Sequence, residues 1–274
     1  MHKLIIALII AALTGLVAFA WASAGPTHTD RVASQPVIQQ ACPGSAATPS
    51  TPSTSALAIA LDGSLSTATK TLRNEYRRAA LDAVRAAATN EAAVRVVVFG
   101  ASGVGARVIF SGSFAPVSTV YAFNLAARNH LLCLAKQALS SAFVGRARLA
   151  GTDTAGVIAG QIGWGQSVVR SHGHVSVLAL GDGCQAPSPS GANAHLTDLC
   201  GELRKGSKPA WILAHHWTEF SFGDSRGVHV TMEGVGVGKD SAAASTLEAE
   251  NEVRFWKLAC RRSRAVCQIG SSVS

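Results

Sequence analysis

Apolar and polar positions fall into two rhythms along this chain. Residues 56–61 read ALAIAL, an unbroken apolar run that suits a strand covered on both faces. Residues 67–88 follow with Leu72, Tyr76, Ala80, Ala83 and Ala87 at helical spacing, one stripe of an amphipathic helix. VRVVVFG (94–100) is β-branched and reads as a second buried strand, and ARVIFSGSF (106–114) as a third after a glycine-rich turn. Helical patterns then cover 121–144, with Phe123, Ala127, Leu131 and Leu134 on one face, and 155–169. HVSVLALGDG (174–183) is a strand, 192–204 a helix, 205–227 an extended connection with aromatic residues, VHVTMEGVGVG the last strand, and 245–263 a closing amphipathic helix. Strands alternating with helices predict an α/β fold: a three-layer sandwich with a mostly parallel central sheet flanked by helices.

The start of the chain breaks both rhythms. Lys3 precedes an apolar stretch from Leu4 to Trp21, and Ala22-Ser23-Ala24 follows as a small-residue cleavage pattern. Residues 1–24 therefore read as a signal peptide or a signal anchor, a run near the length needed to span a bilayer. Either way the rest is exported, to be secreted or held at the membrane by that segment. Residues 25–54, rich in Pro, Ser, Thr and Ala, read as a linker, and 55–270 as one domain. All six cysteines (Cys42, Cys133, Cys184, Cys200, Cys260 and Cys267) lie in the exported part, which favours disulfides. The expected bonds are Cys184–Cys200 and one from Cys42 to Cys260 or Cys267. Cys133, within LLCLA, is expected either bonded or as a buried free thiol.

Charge changes the picture little. The 274 residues carry a formal net charge of +8. The cations are not interleaved with aromatics as a single-strand nucleic-acid surface requires, so a nucleic-acid partner is not expected. Gly100, Gly103 and Gly105 after a strand suggest a dinucleotide loop, but the apolar β-type run Val108-Ile109-Phe110 follows instead of a helix N-terminus. A tight hairpin turn fits better, and an oxidoreductase is the least supported reading. His172/His174 and the adjacent His215/His216 lack the supporting ligands of a zinc site. Glu248, Glu250, Glu252 and Arg254 read as a solvated helix face.

Three polar loops share one grammar. Asp62-Gly63-Ser64-Leu65-Ser66 ends the first strand, Gly151-Thr152-Asp153-Thr154 opens a helix, and Gly181-Asp182-Gly183 ends a central strand. Carboxyl ends of neighbouring parallel strands converge on one crest, where ligands bind. Two acids and three hydroxyls gathered there make an oxygen-only site of the kind hard divalent ions prefer. The bland alternative for Asp62, Ser64 and Ser66 is a helix cap at Ser66 or Thr67.

These elements, D-G-S-L-S, G-T-D-T and G-D-G, resemble those of von Willebrand factor type A domains across about residues 55–265. The resemblance implies a metal-ion-dependent adhesion site with Asp62, Ser64, Ser66, Thr152 and Asp182 around Mg2+ (or Mn2+). It also implies a protein or other acidic partner whose carboxylate completes the coordination, and a binding protein rather than an enzyme. Gly181 departs from the pattern, standing where the family usually has Thr or Ser. The alternative is an envelope scaffold or assembly subunit that keeps the fold without the metal, with Trp211, Trp217 and Phe220 as its interface.

Overall fold

The computed structural model describes residues 42–44, 52–64, 66–100, 106–144, 152–187, 195–237 and 246–273. The chain divides into Met1–Gln40, none of which is among these residues, and the compact unit Ala41–Ser274. The N-terminal apolar run and the GASGVG turn's central residues thus lie outside the described residues. No helix of the described residues is long and apolar enough to cross a membrane.

Six strands form one sheet: β1 (Ser53–Asp62), β2 (Ala93–Phe99), β3 (Arg107–Ser113), β4 (Val169–Leu180), β5 (His229–Glu233) and β6 (Val266–Ile269). Their order is β3-β2-β1-β4-β5-β6, parallel throughout except for the antiparallel β2–β3 pair. Helices α1 (Lys70–Thr89), α2 (Tyr121–Ser140), α3 (Thr154–Val168), α4 (Leu199–Arg204), α5 (Pro209–His215), α6 (Trp217–Phe220) and α7 (Thr246–Arg262) complete the described elements. The result is the expected α/β sandwich, with β1 at the centre between β2 and β4. The antiparallel β2–β3 pair is what a hairpin at 100–106 requires.

The sheet's two faces are filled differently. On one side Ile59, Leu61, Val94, Val96 and Val98 meet Leu72, Tyr76, Ala80 and Val84 of α1, mostly small and branched side chains in one core with Phe110, Phe114 and Phe143. On the other, Val175, Val177 and Val230 meet Phe220, Phe222, Phe255 and Trp256. Phe222 stacks on Trp256 with centroids 6.1 Å apart, and Phe255 meets it edge-on at 5.3 Å. Each such ring contributes roughly 2–3 kcal/mol by leaving water. The alanines of β1, Ala58 and Ala60, are fully buried and, two residues apart, share the face opposite Ile59 and Leu61, so the chain can be approached closely on that face.

Several elements differ from the sequence reading. Residues 205–227 contain two short helices, α5 and α6, rather than an extended connection: Pro209 stands in the first turn of α5, and Ile212 and Leu213 bury against the core. Phe220 is buried and Trp217 half-buried, while Trp211 stays exposed. β6 was not expected, because four residues broken by Cys267 and Gln268 give too short a pattern. Phe123 is 63% exposed; the rest of its expected face holds, with Ala127 buried and Leu131 and Leu134 half-buried against the core, joined by Ala135 and Leu139.

The disulfides are Cys42–Cys133, Cys184–Cys200 and Cys260–Cys267. Cys184–Cys200 was expected; a bond from Cys42 to Cys260 or Cys267 was not found, and Cys133 is no free thiol. The reason is local geometry. Residues 42–44 run along α2, where His130 Nδ1 donates to the Pro43 carbonyl at 3.1 Å. Cys260 and Cys267 sit where α7 turns back into β6, with Cα atoms 6.2 Å apart.

Candidate metal centre

β1 ends inside the protein, and its last residue is an acid. Asp62 is 1% exposed, and its Oδ1 accepts the Ser64 backbone N–H at 2.8 Å. That bond folds the chain back, so the Ser64 and Ser66 hydroxyls lie 2.8 Å apart. Thr67, fully buried, donates its hydroxyl to the carbonyls of Asp62 and Ser64 at 3.0 and 3.1 Å, which locks the turn from below. The Gly63 N–H donates to the Phe99 carbonyl at 2.6 Å, tying the turn to the end of β2. Gly100 takes φ +134°, and a Cβ there would lie 2.9 Å from the Ser64 nitrogen. Only glycine permits that approach.

The helix-cap alternative is answered here. α1 is capped by Thr69, whose hydroxyl accepts the Leu72 N–H at 3.3 Å, and not by Ser64, Ser66 or Thr67. The oxygens of the turn are therefore not consumed by the helix that follows.

β4 ends in register beside β1, with Leu61 opposite Leu180. Two residues on, Asp182 is 2% exposed and its Oδ1 accepts the Cys184 N–H at 2.9 Å, repeating the β1 arrangement. Trp256 of α7 donates its indole N–H to the Gly183 carbonyl at 2.9 Å, and Gly236 donates to the Asp182 carbonyl at 2.8 Å. Thr152, 4% exposed, pairs through its backbone with Ala186 in both directions at 2.9 and 3.0 Å. Its hydroxyl donates to the Cys184 carbonyl. With its proton directed there, the Thr152 oxygen keeps lone pairs for another ligand. Asp153 is the N-cap of α3, accepting the Gly156 N–H at 2.9 Å. All three loops are thus joined: the Asp62 carboxyl reaches that of Asp182, and Thr152 is held by the segment leaving Asp182.

Two buried carboxyls side by side are electrostatically costly. Burial first, then the Asp182 charge, raise the Asp62 carboxyl well above the ordinary range. Such a pair shares a proton or takes a cation between its members. A second signal points to the cation. The Tyr76 hydroxyl is fully buried, has no hydrogen-bond partner among the described residues and is pushed upward by burial and then by the charges of Asp62 and Asp182. An orphaned buried hydroxyl beside two carboxyls is what a hydrated ion satisfies. The donor set, two carboxylates and three hydroxyls, fits a hard divalent ion.

Gly181 is explained by space. A Cβ there would lie 2.8 Å from Asp62 Cβ and 3.2 Å from its Oδ2, so a side chain at 181 would force the two strand tips apart.

Sequence reasoning missed several neighbours. Tyr76 is one. Arg73 is another: its guanidinium stacks 5.1 Å from the Phe143 ring centroid and feels the Asp62 charge, while burial and then Arg77 lower its pKa. Their only signal was position, one and two turns into the helix after the acid-hydroxyl turn. Glu252 is the third, expected on a solvated face and found 4% exposed. Its Oε1 lies 3.0 Å from Cys200 Sγ. A disulfide sulfur has no proton, so the carboxyl supplies it. Burial, then the charges of Asp182 and Glu248, push Glu252 up to about 8. His215 and His216 are held in local bonds: His215 bonds the Trp211 carbonyl at 2.9 Å, and His216 meets Thr197 at 2.8 Å and Glu219 at 3.0 Å.

No family profile and no curated protein matches the sequence. Among solved structures, the chain is similar to BatB, a conserved hypothetical protein from Bacteroides thetaiotaomicron, at 13% identity and TM-score 0.38, covering 80% of this chain and 91% of that one. It is similar to proximal thread matrix protein 1 from the mussel byssus at 14% identity and TM-score 0.36, covering 78% of this chain. It is also similar to the pilus adhesin SpaC from Lactobacillus rhamnosus GG at 12% identity and TM-score 0.44, covering 83% of this chain. It spans 49% of the mussel protein's length and 29% of the adhesin's.

Proposed function

We propose that this chain is an exported domain of the von Willebrand factor type A kind that binds an acidic partner through a divalent cation. Asp62, Ser64, Ser66, Thr152 and Asp182 would hold Mg2+ or Mn2+, and the ion would supply a Lewis-acidic position for a partner's carboxylate. The observation that carries the reading is the contact between the buried Asp62 and Asp182 carboxyls at the tips of neighbouring parallel strands. Neutral hydroxyls make up the rest of the set, so a bound ion keeps positive charge for an outside acid. Arg73, beside Asp62, adds to that attraction. Three disulfides among the described residues fit an oxidising compartment outside the cytoplasm.

A second reading, an envelope scaffold that uses the fold without the ion, is favoured by Gly181, which provides no hydroxyl where the family has one. Thermal melts in Mg2+, Mn2+ and EDTA separate the two. A cation-dependent rise in melting temperature in the wild type, absent in Asp182→Ala, supports the first; equal melts in all three conditions support the scaffold.

A further inference from the structure

We propose that the groove between α7 and β6, on the far edge of the sheet from β3, docks an acidic, extended peptide segment of a partner protein. The groove encloses about 760 Å³. Val253, Leu258 and Ile269 give it apolar walls, and Arg254, Lys257 and Arg261 line it with charge. Those three cations are exposed and face a single acid of the lining, Glu250. None of the three makes an ion pair among the described residues. α7 commits Phe255, Trp256 and Ala259 to the core. Steps of three and four then put Arg254, Lys257 and Arg261 together on the remaining side.

The strand side adds a second handle. Val266 and Gly270 donate their N–H groups to Val228 and Met232 at 2.9 Å each. Residues out of phase with them, Cys267 and Ile269, turn their backbone groups away from the sheet. β6 ends the strand order, so no strand pairs with that edge among the described residues. An extended peptide can use both handles at once, its backbone on the free edge and alternate side chains split between apolar wall and cationic rim. The Cys260–Cys267 bond fastens the helix wall to the strand wall, so less ordering is left to binding. A featureless polyanion would use the charge and ignore the apolar wall and the strand edge.

Fluorescence anisotropy of a labelled peptide of alternating leucine and glutamate, titrated with the full chain in EDTA, tests the proposal. Saturable binding is expected. It should weaken about tenfold in Arg254→Glu/Lys257→Glu, two exposed substitutions whose fold is checked by circular dichroism. Asp62→Ala should leave it unchanged, which separates this groove from the metal-dependent crest. N-methylation of alternate peptide amides should abolish it. Overturning results are no binding by the wild type, equal binding by the charge-reversed variant, loss of binding in EDTA, or equal affinity for oligoglutamate or for a sulfated polysaccharide.

Discussion

The tips of β1 and β4 stand side by side, and both carry a buried aspartate that accepts the amide two residues on. Beyond that they diverge. After Asp62 the chain offers hydroxyls at Ser64, Ser66 and Thr67; around Asp182 it offers glycines at 181 and 183 and a disulfide at Cys184. One tip supplies oxygen, and the other supplies close approach and stiffness. Gly181 lets the Asp62 side chain sit against the backbone of β4, while the Trp256 bond to Gly183 and the Cys184–Cys200 bond keep the second loop from moving away. The proposed cation site would need both, because ligands from separate segments are useful only if their spacing is fixed before an ion arrives.

That division of labour can be broken from either side. Asp182→Ala should remove all measurable heat of Mg2+ binding in calorimetry while the far-ultraviolet spectrum stays unchanged. Glu252→Gln acts on the stiff side. The Glu252 carboxyl has a folded pKa of about 8, above its unfolded value, so the protonated form is the stable one. Stability is full below pH 4 and falls as pH rises through about 8, by up to roughly 5 kcal/mol. Urea melts across pH 5 to 9 should show this decline in the wild type and a flatter profile in Glu252→Gln. Gly181→Ser, although it restores a hydroxyl, should cost about 1–3 kcal/mol in the same melts because its Cβ meets Asp62. Tyr76→Phe should be the mildest: within about 1 kcal/mol without metal, since the lost hydroxyl has no partner among the described residues, and several-fold weaker for Mg2+.

The sheet was legible because its strands are continuous apolar runs and its main helix repeats at regular spacing. β1, β2, α1 and α3 lie within a few residues of the expected bounds. The crest was legible for a related reason: an abrupt change from apolar run to acid and hydroxyl marks a strand end where polar side chains must find partners. What escaped the sequence depends on distant contacts. Cys42 meets Cys133 because a segment expected as linker runs along α2, and no local pattern records that. Glu252 looks like its exposed neighbours until α7 is laid against the Cys184–Cys200 bond. Tyr76 fits a core stripe perfectly well, and only the position of the strand tips shows that its hydroxyl ends beside two carboxyls. β6 is too short and too polar to announce itself, yet it closes the edge against which α7 leaves its groove.

Manganese makes the crest directly visible, since the six-line paramagnetic resonance signal of the free ion collapses when protein oxygens bind it. Titrating Mn2+ into the purified chain should show one ion bound per molecule, displaced by excess Mg2+ and absent from Asp62→Ala. A wild-type titration that follows the buffer blank, or an Asp62→Ala protein that binds as well as the wild type, would contradict a cation held between the two strand tips.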